Sequence, residues 1–165
     1  MNDTNAIQRR IKMLIIFFIC ALAANGLTAI PLQWELKIIL SVFGAGTTFG
    51  SIVPSLADWL ERINEGVQNG YGQYPFLAYG TDWLAFGHIV IAIAFIGPLR
   101  DPVKNIWVVE LGMIACILII PWTFIFGVIR DIPFFWQLVD MSFGIFGIFP
   151  LWFVHRNILL ISGKL

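Results

Sequence analysis

Charge is scarce in this sequence. Only 12% of the 165 residues are charged, whereas a soluble domain carries about 25%. Ten basic and ten acidic residues cancel, and the basic clusters that indicate a nucleic-acid partner are absent. Hydrophobic residues make up 59% of the chain and the mean hydropathy is +0.85, so the composition argues against a water-soluble fold.

Cysteine and histidine are also few. Cys20 and Cys116 lie inside apolar runs and lack the paired spacing of a zinc site or a redox motif, so we interpret both as small hydrophobic residues. Haem held by two histidines needs both imidazoles at one level. His88 is predicted in the outer half of the membrane and His155 at the cytoplasmic end. We therefore expect no metal and no cofactor.

Long apolar runs are what the sequence has in quantity. A helix that crosses the roughly 30 Å hydrocarbon layer needs about 20 apolar residues. Four stretches satisfy this requirement, at about residues 12–31, 81–99, 102–129 and 132–154. Thr81, Asp101 and Asp131 stand before these runs as predicted N-caps, and Pro121 is expected to kink the third helix.

A fifth candidate span, at 38–53, is poor because it contains three glycines, two threonines and two serines. The distribution of basic residues supports four spans, because cytoplasmic flanks prefer Lys and Arg. With five spans the basic residues divide equally between the two sides. With four spans and the N-terminus inside, three lie outside (Lys37, Arg62 and Arg130) and seven inside (Arg9, Arg10, Lys12, Arg100, Lys104, Arg156 and Lys164).

The N-terminal stretch "RRIKMLIIFFICALA" has an alternative interpretation as an export signal, because it combines a basic region, an apolar region and small residues at Ala21 and Ala23. The apolar run continues to Ile30, which is longer than a signal requires. We therefore interpret it as a first transmembrane span.

Residues 32–80 are predicted to form an external segment, divided by the glycine-rich turn "GAGTTFG". Its later half predicts an amphipathic helix with Ser55 and Asp58 as a capping box. We expect this helix to act as a lid or a partner-docking surface; alternatively it only shields the outer loop ends. Its apolar stripe comprises Leu56, Trp59, Leu60, Ile63 and Val67, opposite Asp58, Glu61, Arg62 and Glu65.

Polar residues within the predicted spans fall at similar depths. Counting about 1.5 Å per residue from the outer helix ends places His88, Asp140, Asn25 and Thr123 about 9–13 Å deep. Some of them share helix faces with small residues, which favours inward orientation. These stripes are Gln137–Asp140–Gly144–Gly147, Ala85–His88–Ala92 and Ala21–Asn25–Thr28.

We therefore predict that His88 and Asp140 face each other in an outward-facing polar pocket within a four-helix bundle. Imidazole titrates near neutral pH, so the pair has the chemistry of a general acid and base; alternatively it only joins helices by hydrogen bonds. Glu110 is expected near the inner interface as an anchor, paired with a basic residue. The other predicted ligand-binding residues are Asn25, Thr123, Gln137 and Arg130.

The sequence thus predicts an all-α integral membrane protein, with four transmembrane helices and an external amphipathic helical segment between the first and second. We expect one membrane domain in a bacterial inner membrane, both termini cytoplasmic. Its expected partners are the lipid bilayer and a small hydrophobic molecule, with no nucleic acid.

An intramembrane aspartic peptidase would need Asp131 and Asp140 as its dyad, and the Asn and Asp motifs of that class are missing. The remaining alternative is a non-enzymatic docking subunit among other membrane subunits.

Overall fold

A computed structural model describes residues 2–163 of the chain. This part is 87% helical and contains no strand. A short 3-10 turn, Pro75–Leu77, precedes the fifth helix. The α-helices are α1 (Asn2–Ala29), α2 (Leu32–Phe43), α3 (Thr48–Ile52), α4 (Pro54–Gln73), α5 (Ala78–Ala94), α6 (Ile96–Arg100), α7 (Ile106–Ile129) and α8 (Phe134–Ile161).

Four helical segments are long and apolar enough to cross a membrane, which confirms the predicted number. They are Asn5–Ala29, Pro75–Arg100, Ile106–Ile129 and Phe134–Ile161. Three of these segments extend beyond the predicted apolar runs, to Asn5, Pro75 and Ile161, and one begins later than predicted, at Ile106. The segment that contains α5 and α6 is interrupted at Phe95, because Pro98 has no N–H to donate to the Ala94 carbonyl.

The fifth candidate span is confirmed as too irregular to cross. α2 ends at Phe43, and Gly44 follows as its extended C-cap. The chain then turns back so tightly that a Cβ on Gly50 would overlap the Gly44 carbonyl oxygen. Thr47 caps the short α3 by accepting a hydrogen bond from the Gly50 N–H at 2.9 Å. Glycine is required here because two backbone segments touch directly.

The chain forms two compact units. The first unit combines the chain up to Ala21 with the chain from Ile91 onward, and the second unit is Leu22–Val90. In the first unit α7 and α8 pack along each other. Their contact is close because a Cβ on Gly144 of α8 would overlap the Cys116 carbonyl oxygen of α7. The fully buried side chains Val109, Leu151 and Val154 belong to the same two helices.

The second unit contains the amphipathic helix that the sequence predicts. α4 buries Leu60 and exposes Asp58, Glu61, Arg62 and Glu65, so the predicted division into apolar and polar faces is confirmed. The predicted capping box is wrong, because α4 begins at Pro54 and its N-cap Val53 makes no side-chain hydrogen bond.

The helix against which α4 packs was not predicted. α2 lies on α4, and the Gln33 amide donates to Gln68 Oε1 at 3.0 Å. Glu61 Oε1 accepts from the Ala45 N–H at 2.8 Å. These bonds tie the glycine-rich turn and α2 to the helix that follows them.

The predicted N-caps of the later spans are wrong. Thr81 lies inside α5 and donates to the Ala78 carbonyl at 2.7 Å. Asp101 closes a turn by accepting from the Lys104 N–H at 3.1 Å, and α7 begins later, after Asn105. Asp131 ends α7 rather than beginning α8. Thr81 thus bonds within its own helix, and Asp101 and Asp131 lie in turns next to the helices that they were expected to cap.

The turn between α7 and α8 is a Schellman motif. The Ile132 N–H bonds the Gly127 carbonyl at 2.9 Å, and the Asp131 N–H bonds the Val128 carbonyl at 3.4 Å. Asp131 has φ +54°, the left-handed conformation that glycine usually supplies at this position.

We expect Asp131→Gly to stabilise the protein by about 0.5 kcal/mol. The left-handed conformation costs an L-residue about 1–2 kcal/mol, less for Asp, and the additional freedom of glycine in the unfolded chain offsets about 0.4–1 kcal/mol of that gain. Thermal unfolding in detergent measures the difference, with Asp131→Ala as the comparison. A glycine variant less stable than the alanine variant would contradict the strain argument.

Candidate functional site

His88 has a defined tautomer. Its Nδ1 lies 2.8 Å from the Leu84 carbonyl oxygen one turn earlier in α5. A carbonyl oxygen only accepts, so Nδ1 carries the hydrogen. The neutral imidazole therefore presents a lone pair at Nε2, which makes no hydrogen bond to the described residues of the second unit. The residue as a whole is half-buried.

α1 lies directly against the backbone of α5 beside His88. A Cβ on Gly26 would stand 2.8 Å from His88 Cβ and 3.0 Å from the Ala85 carbonyl oxygen. Ala85 is 1% exposed. The small-residue face predicted for this helix is thus buried at Ala85, and a glycine on the neighbouring helix sets how closely the two backbones approach at His88.

Asn25 lies next to Gly26 in α1, about 100° around the helix. Within the second unit Gly26 is buried, whereas Asn25 and Thr28 are exposed, so Gly26 makes the contact with α5; whether Asn25 binds a ligand stays a prediction. Thr28 Oγ1 donates to the Asn25 carbonyl at 3.1 Å within the same helix. The polar residues of α1 did not reveal this contact, because the two backbones can approach so closely only at Gly26, which has no side chain.

The stripe on α8 is oriented as predicted. Gln137 is 3% exposed and Gly144 is buried. The other two residues of the stripe, Asp140 and Gly147, are half-buried. Asp140 has no hydrogen bond or ion pair to the described residues of the first unit. His88 belongs to the second unit and Asp140 to the first, so their pairing stays a prediction.

Gln137 is the most deeply buried polar side chain of the predicted site. Its Nε2 donates to the Ile132 carbonyl at 2.8 Å, which satisfies a carbonyl in the turn before α8. Its Oε1 is buried with no hydrogen-bond partner among the described residues. The side chain lies directly against Gly127 of α7, where a Cβ would overlap Gln137 Cδ. The amide is thus held by packing, with an acceptor left unsatisfied.

The two remaining predicted ligand-binding residues lie on or at the end of α7. Thr123 is half-buried within the helix, and Arg130 is exposed at its C-cap. Arg130 forms no ion pair with a carboxylate of residues 5–163, the part whose side chains are described. Whether either residue binds a ligand stays a prediction.

An imidazole–carboxylate pair that the sequence analysis missed joins α7 and α8. His155 Nε2 lies 3.2 Å from Glu110 Oε1, whereas Lys104, Arg100, Arg9 or Arg156 was the expected partner. Lys104 instead contacts Asp101 at 3.5 Å. Counting outward from the α7–α8 turn would have found the pair, because Glu110 is about 30 Å before it and His155 about 33 Å after it.

No family model, curated protein or solved structure matches this chain. Its chemistry is therefore argued from its side chains alone. Among the side chains of residues 5–163, no group of three or more His, Cys, Asp and Glu could hold a metal ion. What the described side chains offer is an imidazole at His88 whose Nδ1 bonds the Leu84 carbonyl, a half-buried carboxyl at Asp140 and an amide oxygen at Gln137 without a described partner.

Proposed function

We propose that the chain is an integral membrane protein that binds a small hydrophobic or amphipathic molecule, with His88 as the base that contacts it. The observation that carries the proposal is the hydrogen bond from His88 Nδ1 to the Leu84 carbonyl. This bond fixes the tautomer and leaves Nε2 ready to accept a proton or a hydrogen bond. Asp140 is the acidic group that the sequence predicts for the binding of this molecule, and its contribution is tested separately.

Membrane insertion is supported by what the long helices expose. Phe17, Trp122 and Phe146 are 63%, 65% and 71% exposed, and all lie on helices apolar enough to cross a bilayer. A soluble protein rarely exposes large apolar patches to water, and many other large apolar side chains of these helices are also exposed. Acyl chains would cover these side chains without cost.

The proposal is tested by the ligand that the purified protein retains. We expect His88→Ala and Asp140→Asn each to reduce the bound small molecule by about tenfold, which corresponds to the loss of one hydrogen bond to a charged or polarised group. Mass spectrometry of solvent extracts from the detergent-purified protein measures the content. Matched controls are His155→Ala, the other histidine, and Asp82→Asn, an exposed carboxylate on α5.

Two outcomes count against this proposal. Unchanged ligand content in both variants would remove His88 and Asp140 from the binding site. An equal loss in the His155→Ala and Asp82→Asn controls would show that any change to these helices releases the molecule.

We propose that both termini lie in the cytoplasm of a bacterial cell. This orientation is supported by the distribution of basic residues, because it places seven of them on the cytoplasmic side, which prefers Lys and Arg, and three on the outer side. In a Cys20→Ser, Cys116→Ser background, an impermeant thiol reagent is expected to label Ser51→Cys in intact cells. It should label Asn5→Cys only after the membrane is opened. Labelling of Asn5→Cys in intact cells would reverse the orientation.

A non-enzymatic docking subunit is the second candidate, favoured by the exposed apolar residues of the second unit outside the spans. Trp34 on α2 and Phe49 and Ile52 on α3 are 65%, 57% and 67% exposed. Such residues fit a partner surface. The intact mass of the complex purified from its own membrane separates the candidates, because a docking subunit carries a second polypeptide beyond multiples of its own 18.6 kDa.

A further inference from the structure

An open groove in the first unit lies between the N-terminal part of α1 and the C-terminal part of α8. Its volume is about 480 Å³. Its polar lining comes from Arg10, Arg156 and Asn157, and its apolar lining includes Met13, Phe153 and Leu160. We call it the arginine groove. A second groove of about 380 Å³ adjoins it, because Arg10 and Met13 line both and Arg9 lines the second.

Among the described residues, nothing neutralises the arginines of the groove. No described carboxylate lines either groove, and Arg10 and Arg156 form no ion pair with a carboxylate of the described residues. Glu110, the acid of α7 that contacts α8, is engaged by His155. Arg156 lies over the Trp152 ring, with 5.8 Å between Cζ and the ring centroid. This contact orients its guanidinium and brings no negative charge to it.

The lining combines two chemistries that one class of ligand shares. Guanidinium groups bind phosphate through paired N–H donors, and the Asn157 amide adds a further donor. Met13, Phe153 and Leu160 offer an apolar wall to an acyl chain. Basic pockets between membrane helices are typical binding sites for anionic lipid headgroups.

We infer that the arginine groove binds the phosphate of an anionic phospholipid, with the acyl chain along Met13, Phe153 and Leu160. A free phosphate ion would bind the arginines but would make no contact with the apolar side chains of the groove. A phospholipid contacts both parts of the lining, which therefore favours the lipid. This site goes beyond the proposed function, because it uses neither His88 nor Asp140.

The test uses full-length protein in neutral detergent, where no charged bilayer surface contributes to binding. The probes are phosphatidylglycerol, phosphatidylcholine with the same acyl chains, and inorganic phosphate at matched ionic strength; native mass spectrometry gives each dissociation constant. We expect Arg10→Gln and Arg156→Gln each to weaken phosphatidylglycerol binding by about fivefold or more, as one surface charge does for anionic lipid.

Lys12→Gln is the matched control. Lys12 lies on the same helix and is exposed, but it does not line the groove, so its removal should change binding by less than about twofold. Arg156→Lys keeps the charge and removes the paired donors, and it should fall between wild type and Arg156→Gln. Thermal unfolding without lipid checks that each variant is folded.

Three results would overturn the inference. Equal weakening by Lys12→Gln would show attraction to charge in general. Equal binding of phosphatidylcholine would show an apolar site with no role for the arginines. Displacement of phosphatidylglycerol by inorganic phosphate at an equal concentration would show an anion site that does not recognise lipid.

Discussion

Gly144→Leu lowers the free energy of unfolding by about 3 kcal/mol, and Gly144→Ala by about 2 kcal/mol, as overpacking at a rigid contact does. The reason is the atom that a new Cβ meets. On Gly144 it would overlap the Cys116 carbonyl oxygen and Ile119 Cγ2. A backbone oxygen inside α7 moves only with its helix, so the substitution separates α7 from α8.

Gly147→Ala is the matched control on the same helix face. Its Cβ would meet Cys116 Sγ at 3.1 Å, and a side-chain atom can shift by a few tenths of an ångström. Alanine also gains about 0.5–1 kcal/mol over glycine inside a helix, so we expect Gly147→Ala to be neutral or slightly stabilising. Unfolding by denaturing detergent measures both variants. Equal stability of Gly144→Ala and Gly147→Ala would contradict the close approach.

The spans could be predicted because their evidence is local. Long apolar runs need no knowledge of neighbours, and the irregular stretch at 38–53 was excluded by its own composition. α4 was predicted for the same reason, since its polar and apolar faces alternate with the helical period. Helix ends were harder, because Thr81 bonds inside α5 and Asp101 and Asp131 bond in turns. Whether such a residue caps a helix depends on backbone geometry, which the sequence does not show.

The candidate site depended on contacts between helices, and there the sequence was a weaker guide. Counting residues from the end of a helix gives the depth of a side chain in the membrane, but it does not show which side of the helix the side chain occupies. It succeeded on α8, where Gln137 and Gly144 share the buried face. On α1 it did not identify the contact with α5, which Gly26 makes, because the pattern favoured polar residues and the packing required the smallest one.

Gln137→Glu is expected to lower the free energy of unfolding by about 3 kcal/mol at neutral pH, the cost of an uncompensated charge in a buried site. Gln137 is 3% exposed. A carboxylate has no N–H to donate to the Ile132 carbonyl, which now accepts from Nε2 at 2.8 Å. The substitution therefore breaks a hydrogen bond and places two oxygens beside an acceptor.

Gln137→Met separates the charge from the hydrogen bond. Methionine has a similar length and loses the donation to Ile132, but it also removes Oε1, the buried acceptor without a partner. These two effects offset each other, so the change should stay within about 1.5 kcal/mol. Gln8→Glu, at an exposed position of α1, should change stability by less than about 0.5 kcal/mol.

If Gln137→Met were as destabilising as Gln137→Glu, loss of the hydrogen bond to Ile132, and not the new charge, would account for the effect. If Gln137→Glu were as stable as Gln8→Glu, the amide would not be buried, because only burial makes the new charge costly.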